Sequence, residues 1–183
     1  MQITHKIYTV GHSDRDVEEF LSLLNKYGIG ILVDIRAYPY SRRFPYFSKD
    51  ELRQHIKNSG IDYYWAGNKL GGMRKLKNPE SHPALSSESF RGFAEHMETE
   101  EFQQAIIRLQ NFACKTPTVI MCAEKQASNC HRSLISDYLT FKNMPVEHII
   151  DETSTFIHSL NNLARCESEV LVYDRNTSRD LFS

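Results

Sequence analysis

The sequence predicts an α/β fold, a mainly parallel sheet with helices on both faces in a three-layer, Rossmann-like arrangement. Short apolar runs of strand character alternate with segments whose apolar residues recur at helical spacing. The run at 31–35, Ile-Leu-Val-Asp-Ile, is almost continuously apolar, which is typical of a parallel strand covered on both faces. A chain of 183 residues, 40% of them hydrophobic, can bury a large core without disulfides or a structural metal.

The individual elements follow from the period of the apolar residues. Strands are predicted over 7–10, 31–35, 61–65, 119–122 and 146–150. Helices are predicted over 17–24, 48–59, 90–97, 102–109 and 129–139. The stretch 67–87, with three glycines and several lysines, is longer than an ordinary connection, so we expect a lid or a binding loop there.

The predicted domain organisation is a single α/β domain over 1–152 followed by a C-terminal extension over 153–183. Within the extension, Phe156, Ile157, Leu160 and Leu163 recur at helical spacing and predict a helix. An edge strand is predicted at 170–173, and the last ten residues read as a loose tail.

Charge and cysteine content limit the classes of function. The net charge of −1 gives no overall attraction to nucleic acid or to an anionic membrane, so any such partner must be held by a local patch. The sequence has no apolar run long enough to cross a membrane, and no membrane partner is expected. The four cysteines form no disulfide framework, which favours a reducing, cytoplasmic location.

The most informative segment is 118–139, where a buried strand, a polar loop and a helix follow one another. Glu124, Cys130, His131 and Arg132 fall where the strand ends or the helix begins, which is where open α/β sheets bind ligands. We predict Cys130 to be a nucleophile or orienting thiol, with its pKa lowered by the helix N-terminus and by the adjacent basic residues. Glu124 or His131 is predicted to serve as general acid or base, and Ser133 to contact the substrate.

The ends of the first two strands carry further candidates for substrate binding. His12 and Ser13 follow the first strand, and Asp34 and Arg36 close the second. Because parallel strands finish at the same edge of a sheet, Arg36 and Arg132 are predicted to converge on one anion.

Two loops complete the predicted site. The segment 36–53 interleaves aromatic and basic residues around Ser41, a composition that suits stacking on bases and contact with phosphates, although a packed loop whose aromatic rings fill the gap between helix and sheet is the more ordinary interpretation. Lys69, Gly71 and Gly72 are predicted to close over a bound ligand.

The remaining cysteine near the site, Cys122, lies inside the predicted strand, where a cysteine usually behaves as a small hydrophobic residue. Cys122, Cys130 and His131 offer three potential metal ligands. The eight-residue separation of the cysteines and the lack of a fourth ligand nearby argue against zinc or another metal, without removing it as an alternative. No cofactor is predicted.

Five motifs occur in a characteristic order: GHS after the first strand, VDIRAYP, the FS helix start, KLGG and MCAE…CHRSLI. Together they resemble the DUF488 family over roughly residues 5–150. The resemblance implies a compact α/β fold with a site built from these motifs, and it implies no activity, since the family is named for its unknown function. A more distant likeness is to rhodanese and cysteine-phosphatase domains. The phosphatase arginine, six positions after the cysteine, is replaced here by Ser128 or Ser136, so that chemistry is not carried over.

Three functions remain open at this stage. The first is a hydrolase or transferase acting on a phosphate-bearing substrate, a nucleotide or a nucleic-acid end. The second is a non-catalytic nucleotide or nucleic-acid binding module that uses the aromatic and basic loop. The third is a thiol redox or sulfur-carrying protein that uses Cys130 with Cys122.

Overall fold

The computed structural model describes residues 6–175, which contain a six-stranded sheet of order β3-β2-β4-β1-β5-β6 and a separate hairpin of β7 and β8. In this order, the first five strands all pair in parallel with their neighbours, and β6 pairs antiparallel with β5 at the edge. The strands are β1 (Ile7–Gly11), β2 (Ile31–Asp34), β3 (Asp62–Trp65), β4 (Thr118–Cys122), β5 (Val146–Ile149), β6 (Thr155–Ile157), β7 (Ala164–Glu167) and β8 (Val170–Tyr173). The helices are α1 (Val17–Lys26), α2 (Lys49–Asn58), α3 (Gly67–Leu70), α4 (Glu88–Met97), α5 (Glu100–Ala113) and α6 (Arg132–Phe141).

The sheet is covered on both faces, as the apolar run at 31–35 predicts. Ile31 and Val33 point to one face and pack with α4, α5 and α6, whereas Leu32 points to the other and packs with α1 and α2. This alternation along a fully buried strand confirms the predicted three-layer α/β fold.

Three helices begin with side-chain caps, and α6 does not. Asp16, Ser87 and Thr99 each accept a hydrogen bond from a backbone N–H in the first turn of α1, α4 and α5. The segment before α6 instead forms a short 3₁₀ helix over Ala127–Asn129, followed by Cys130 in an extended conformation. The helix therefore begins at Arg132, three residues later than predicted, and Cys130 lies in the connection before it.

The helix predicted over 156–163 is wrong. Residues 155–157 form β6, which pairs with β5, and no helix occurs in the extension as far as residue 175. Phe156, Ile157 and Leu160, which suggested an apolar helical face, are all exposed, so backbone pairing with β5 and not burial of a helical face decides the structure here. The predicted strand at 170–173 exists as β8, but it pairs with β7. Of the predicted tail at 174–183, residues 176–183 lie outside the described residues.

The extension also joins the main core. Ala164, Leu171 and Tyr173 are buried against the face of the sheet that carries α4, α5 and α6.

The long segment 67–87 contains α3 and then follows α4 closely. The carboxylate of Glu95 accepts hydrogen bonds from the backbone N–H groups of Lys77 and Asn78, and Arg91 donates to the carbonyls of Pro79 and Ser81. The far part of the predicted lid is thus tied to α4 by side-chain hydrogen bonds.

The topology brings the carboxyl ends of β1, β2 and β4 together. Gly11 lies opposite Cys122, and Asp34 lies opposite Met121. A Cβ at Gly11 would stand 1.8 Å from the carbonyl oxygen of Glu124, so only glycine lets the loop after β4 fold over the end of β1. Among the helices described, none is long and apolar enough to span a membrane.

Candidate functional site

A cavity of about 400 Å³ opens at the carboxyl ends of β1, β2 and β4. This is the edge at which the sequence predicts a site. The cavity is lined by His12, Arg36, Ala37, Tyr38, Tyr40, Ser41, Gly72, Met73, Ser89, Phe90, Cys122, Ala123, Glu124, Asn129, Cys130 and His131.

Two thiols and one imidazole meet on the wall of this cavity. The sulfurs of Cys122 and Cys130 and a ring nitrogen of His131 all lie within 4.8 Å of one another, and all three residues are buried. The Cys130 sulfur is 3.6 Å from His131 Nδ1 and accepts a hydrogen bond from the backbone N–H of Arg132 at 3.5 Å. We call these three side chains the thiol centre.

The two thiols are inequivalent. The hydrogen bond that Cys130 donates lowers the pKa of the Cys122 thiol, and His131 acts in the same direction against the effect of burial. The same hydrogen bond and burial raise the pKa of Cys130. The predicted low pKa of Cys130 is therefore wrong. The lowered pKa falls on Cys122 instead, because Cys130 keeps its proton and shares it with Cys122 in a hydrogen bond.

Asp34 and Arg36, the pair predicted at the end of β2, form a buried ion pair beside the thiol centre. Arg36 Nε and Nη2 donate to the two oxygens of Asp34 at 2.9 and 2.6 Å, and the Tyr63 hydroxyl donates to the same carboxylate at 2.8 Å. Asp34 is fully buried and outside the cavity lining, whereas Arg36 reaches the cavity. The charge of Arg36 is thus largely compensated within the protein.

His12 occupies the next position on the wall. Its ring stacks on Phe47 with centroids 4.2 Å apart, and its Nδ1–H donates to the carbonyl of Ser13 at 2.9 Å. Its Nε2 then accepts from Arg36 Nη1 at 3.3 Å. Burial, followed by the charge of Arg36, lowers the pKa of His12 to about 4, so the ring is neutral near pH 7.

Arg132 does not lie where the sequence predicts it. It is 1% exposed and absent from the cavity lining, because α6 begins after the thiol centre and its first side chain points into the protein. Its Nη2 donates to the carbonyl of Lys125 at 3.1 Å, while its Nε and Nη1 have no hydrogen-bond partner in the described part of the chain. The predicted convergence of Arg36 and Arg132 on one anion in this cavity is therefore not formed.

The other predicted residues divide between the cavity and its surroundings. Glu124 and Ser41 line it. Lys69, Gly71 and Ser13 do not line it. Gly72, the residue after Gly71 in the same loop, does. A Cβ at Gly72 would lie 2.6 Å from His131 Nδ1, so this glycine allows the loop to pack directly on the imidazole.

Ser133 lines a second cavity of about 400 Å³ on the other side of Phe90. This cavity is bordered by a chain of buried polar groups that the sequence did not reveal. Asp137 Oδ1 is 2.9 Å from His158 Nε2, His158 Nδ1 is 2.8 Å from His148 Nε2, and His148 Nδ1 is 2.6 Å from the Thr9 hydroxyl. We call this series the histidine chain.

Phe90 is a site residue that the sequence analysis did not select, and Cys122 entered it only in the alternatives, as a redox partner of Cys130 or as a metal ligand. Cys122 was interpreted as a core residue because it lies in a strand. The informative signal was its place as the last residue of β4, at the edge where ligands bind. Phe90, in the first turn of α4, carries no signal at all, since aromatic residues at helical spacing usually mark the core.

The thiol centre is also the one group that could hold a metal ion among the histidine, cysteine and acidic residues of the described chain. The spacing argument against a metal considered separation along the sequence, and folding removes that separation.

Comparison with known proteins places the chain by family alone. No curated protein matches it, and no solved structure matches it, so the distant likeness to rhodanese and cysteine-phosphatase domains gains no support. The model of the family described as a domain of unknown function, DUF488, matches residues 16–139, more than half of the chain, and the chain therefore belongs to the DUF488 family.

Proposed function

We propose that the protein is a dithiol enzyme that reduces a disulfide or related sulfur electrophile bound in the first cavity. The observation that carries the proposal is the meeting of two buried cysteine sulfurs, within 4.8 Å of each other, on the wall of an open cavity of about 400 Å³. Two sulfurs at this separation need only side-chain rotation and a small shift of the Cys130 connection to reach the bonding distance of about 2.0 Å.

The reaction has two steps. The Cys122 thiolate attacks one sulfur of the substrate, the substrate S–S bond breaks, and the leaving thiolate takes a proton from solvent or from a nearby acid. A mixed disulfide then joins the substrate to Cys122. The Cys130 thiol gives its proton to His131 or to solvent and attacks the Cys122 sulfur, which releases the second half of the substrate as a thiol.

The net change is balanced. The substrate gains two electrons and two protons. The protein supplies both electrons and the Cys130 proton in forming the Cys122–Cys130 disulfide, and solvent or a nearby acid supplies the second proton. A thiol reductant from the surroundings returns the protein to the dithiol state, as a reducing cytoplasm would supply.

The assignment of Cys122 as the attacking sulfur follows from the hydrogen bonding and the position. Cys122 accepts a hydrogen bond from Cys130, which favours its thiolate, and it lines the cavity beside Arg36. Cys130 has its Sγ within 4.8 Å of Cys122 and 3.6 Å from His131 Nδ1, which suits a second thiol that acts only after the first has reacted.

A trapping experiment with oxidised glutathione tests this order. In the presence of a chelator, the wild-type protein should lose two of its four titratable thiols and release glutathione. Cys130→Ser should stop at a mixed disulfide on Cys122, and Cys122→Ser should form none at this centre. Cys114→Ser and Cys166→Ser, which remove exposed cysteines, are the matched controls and should leave the reaction of the centre intact.

The proposal fails if Cys130→Ser and Cys122→Ser accumulate the same amount of mixed disulfide at the remaining buried cysteine. It also fails if glutathione couples only to the exposed cysteines of the wild-type protein.

A nucleotide ligand is a second candidate, favoured by the mouth of the same cavity. Tyr38 and Tyr40 line it and are 77% and 71% exposed, and such rings can stack on a base. The pairing of Arg36 with Asp34 weakens the case for a strongly held phosphate.

Titration with AMP, and with inorganic phosphate for comparison, tests this candidate. Tyr38→Ala or Tyr40→Ala should weaken AMP binding by about 1–3 kcal/mol, the scale of one base stacked on an aromatic ring. Tyr64→Ala is the control, because Tyr64 is also exposed but stacks on Phe112 and does not line the cavity. Equal effects of all three substitutions would reject a nucleotide at the cavity mouth.

A further inference from the structure

The thiol centre has the composition and the geometry of a metal site. Cys122, Cys130 and His131 supply two sulfurs and one imidazole nitrogen, and these atoms come from the end of β4 and from the connection before α6. Thiolate and imidazole together suit zinc and other thiophilic ions, and disfavour magnesium and calcium, which prefer oxygen.

The separations are close to those that a tetrahedral ion imposes. With Zn–S near 2.3 Å and Zn–N near 2.0–2.1 Å, tetrahedral ligand atoms lie roughly 3.5–3.8 Å apart. The Cys130 sulfur is 3.6 Å from His131 Nδ1, and the largest separation among the three ligand atoms is within 4.8 Å. A small rotation of the Cys122 side chain would bring its sulfur within the tetrahedral range of separations from the other two ligand atoms.

Two features of the surroundings support an ion at this position. The backbone N–H of Arg132 donates to the Cys130 sulfur, and hydrogen bonds of this kind stabilise thiolates that bind metals. The guanidinium of Arg132 is buried, and no carboxylate of the described residues forms a salt bridge with it, so thiolates held by a metal at this centre would offset its charge.

We propose that the reduced protein binds one thiophilic divalent cation, zinc by preference, through Cys122 Sγ, Cys130 Sγ and His131 Nδ1. All three residues line the first cavity, so the fourth coordination position faces it and is filled by water or by a ligand there. Binding requires both cysteines as thiolates, so the affinity rises with pH.

This inference goes beyond the dithiol reaction and gives it a regulator. The metal occupies the same sulfurs that the redox step needs, so zinc protects the pair from disulfide exchange. Oxidation to the Cys122–Cys130 disulfide, in turn, removes both thiolates and releases the ion. The inference uses the cysteine pair of the proposed function but does not depend on the redox step.

Cobalt is the probe for the test, because tetrahedral Co²⁺ bound to thiolates gives visible absorption and a near-ultraviolet sulfur-to-metal band. Reduced, metal-free full-length protein should show both bands, saturating at one equivalent, and zinc should abolish them by displacement. Cys122→Ser, Cys130→Ser and His131→Ala should each weaken cobalt binding at least about tenfold. Cys114→Ser and Cys166→Ser should bind as the wild type does.

The outcomes separate the two proposals. If no sulfur-to-cobalt band develops, or if it persists in Cys122→Ser, the metal site is rejected, whatever glutathione does in the presence of a chelator. If the band develops with the expected variant pattern but no disulfide forms with glutathione, the metal site stands and the dithiol function is rejected. Circular dichroism of each variant serves as the control that it is folded. If His131→Ala is unfolded, His131→Gln replaces it in the test, because this substitution removes the imidazole nitrogen and fills similar space.

Discussion

The thiol centre and the histidine chain are both buried polar clusters beside cavities of about 400 Å³, and they differ in how completely their groups are satisfied. Every polar atom named in the histidine chain has a partner. In the thiol centre, His131 Nε2 has none in the described part of the chain, and neither have two nitrogens of the adjacent Arg132. Buried polar groups are normally paired, so an incomplete cluster on a cavity wall indicates a place where something else binds or reacts.

The histidine chain instead connects parts of the fold. Asp137 on α6 accepts from His158, from the backbone N–H of Asn161 and from the hydroxyl of Tyr173 on β8. When both imidazoles are neutral, the carboxylate fixes the direction of each bond, since it can only accept, and the Thr9 hydroxyl donates at the far end. This cluster ties the C-terminal extension to the sheet, and we expect it to contribute to stability and not to chemistry.

The largest expected effect on stability is at Asp137. Asp137→Ala should lower the free energy of unfolding by about 3–5 kcal/mol, because it leaves one buried and two partly buried donors without an acceptor. Urea denaturation measures the change. Asp62→Ala, at an exposed position on the edge strand β3, is the control and should change stability by no more than about 0.5 kcal/mol. A loss in the free energy of unfolding of under about 1 kcal/mol in Asp137→Ala would show that the histidine chain does not have this structural role.

Acid should weaken the fold through His148. Burial, the neighbouring His158 and Arg132 lower the pKa of His148 to about 3, well below its ordinary value of about 6.5. The unfolded chain therefore takes up a proton as the pH falls below about 6.5 while the folded chain does not. Stability is lost between pH 6.5 and 3, and by pH 5 the loss from this residue is about 2 kcal/mol.

Denaturation at several pH values checks this dependence. His148→Gln should flatten the curve, whereas His55→Gln, on α2 and outside both clusters, should not. His12, whose pKa burial lowers to about 4, contributes in the same direction, so some slope should remain in His148→Gln. Identical curves for the wild type and His148→Gln would show that His148 does not contribute to the loss of stability in acid.

A smaller effect is expected at the end of the chain. Tyr173→Phe removes one of three donors to Asp137 and keeps the ring in the core, so it should lower the free energy of unfolding by about 1 kcal/mol. Tyr64→Phe, where the ring is exposed, is the control and should have almost no effect. Equal losses for the two variants would indicate that the hydroxyl bond of Tyr173 contributes nothing.

The smallest effect on stability is expected in the thiol centre. Cys122→Ser and Cys130→Ser preserve shape, and we expect each to change the free energy of unfolding by under about 1 kcal/mol. The same substitutions should prevent formation of the Cys122–Cys130 disulfide. Thus one cluster carries stability and the other reactivity, and a loss of several kcal/mol in either serine variant would contradict that division.

The sequence predicted the layers and the edge of the sheet that forms the site, because those depend on local apolar periodicity and on parallel pairing. It predicted that His12, Arg36, Glu124, Cys130 and His131 lie together, since each falls at the end of a strand or at the predicted start of the helix that follows. It misplaced Arg132, because a delay of three residues at the start of a helix turns a side chain from the cavity into the core. It missed the histidine chain, whose members are brought together from β1, α6, β5 and the extension by tertiary folding alone.

The most direct test of the central claim is a peptide map after brief oxidation with oxidised glutathione. Cleavage after Lys115, Lys125 and Arg132 separates the two cysteines, placing Cys122 in the peptide 116–125 and Cys130 in the peptide 126–132. The dithiol function predicts that these two peptides are recovered joined by a disulfide that reductant reverses, with Cys114 and Cys166 still alkylatable as free thiols. Recovery of both peptides unlinked, with their cysteines free or carrying glutathione separately, would contradict it.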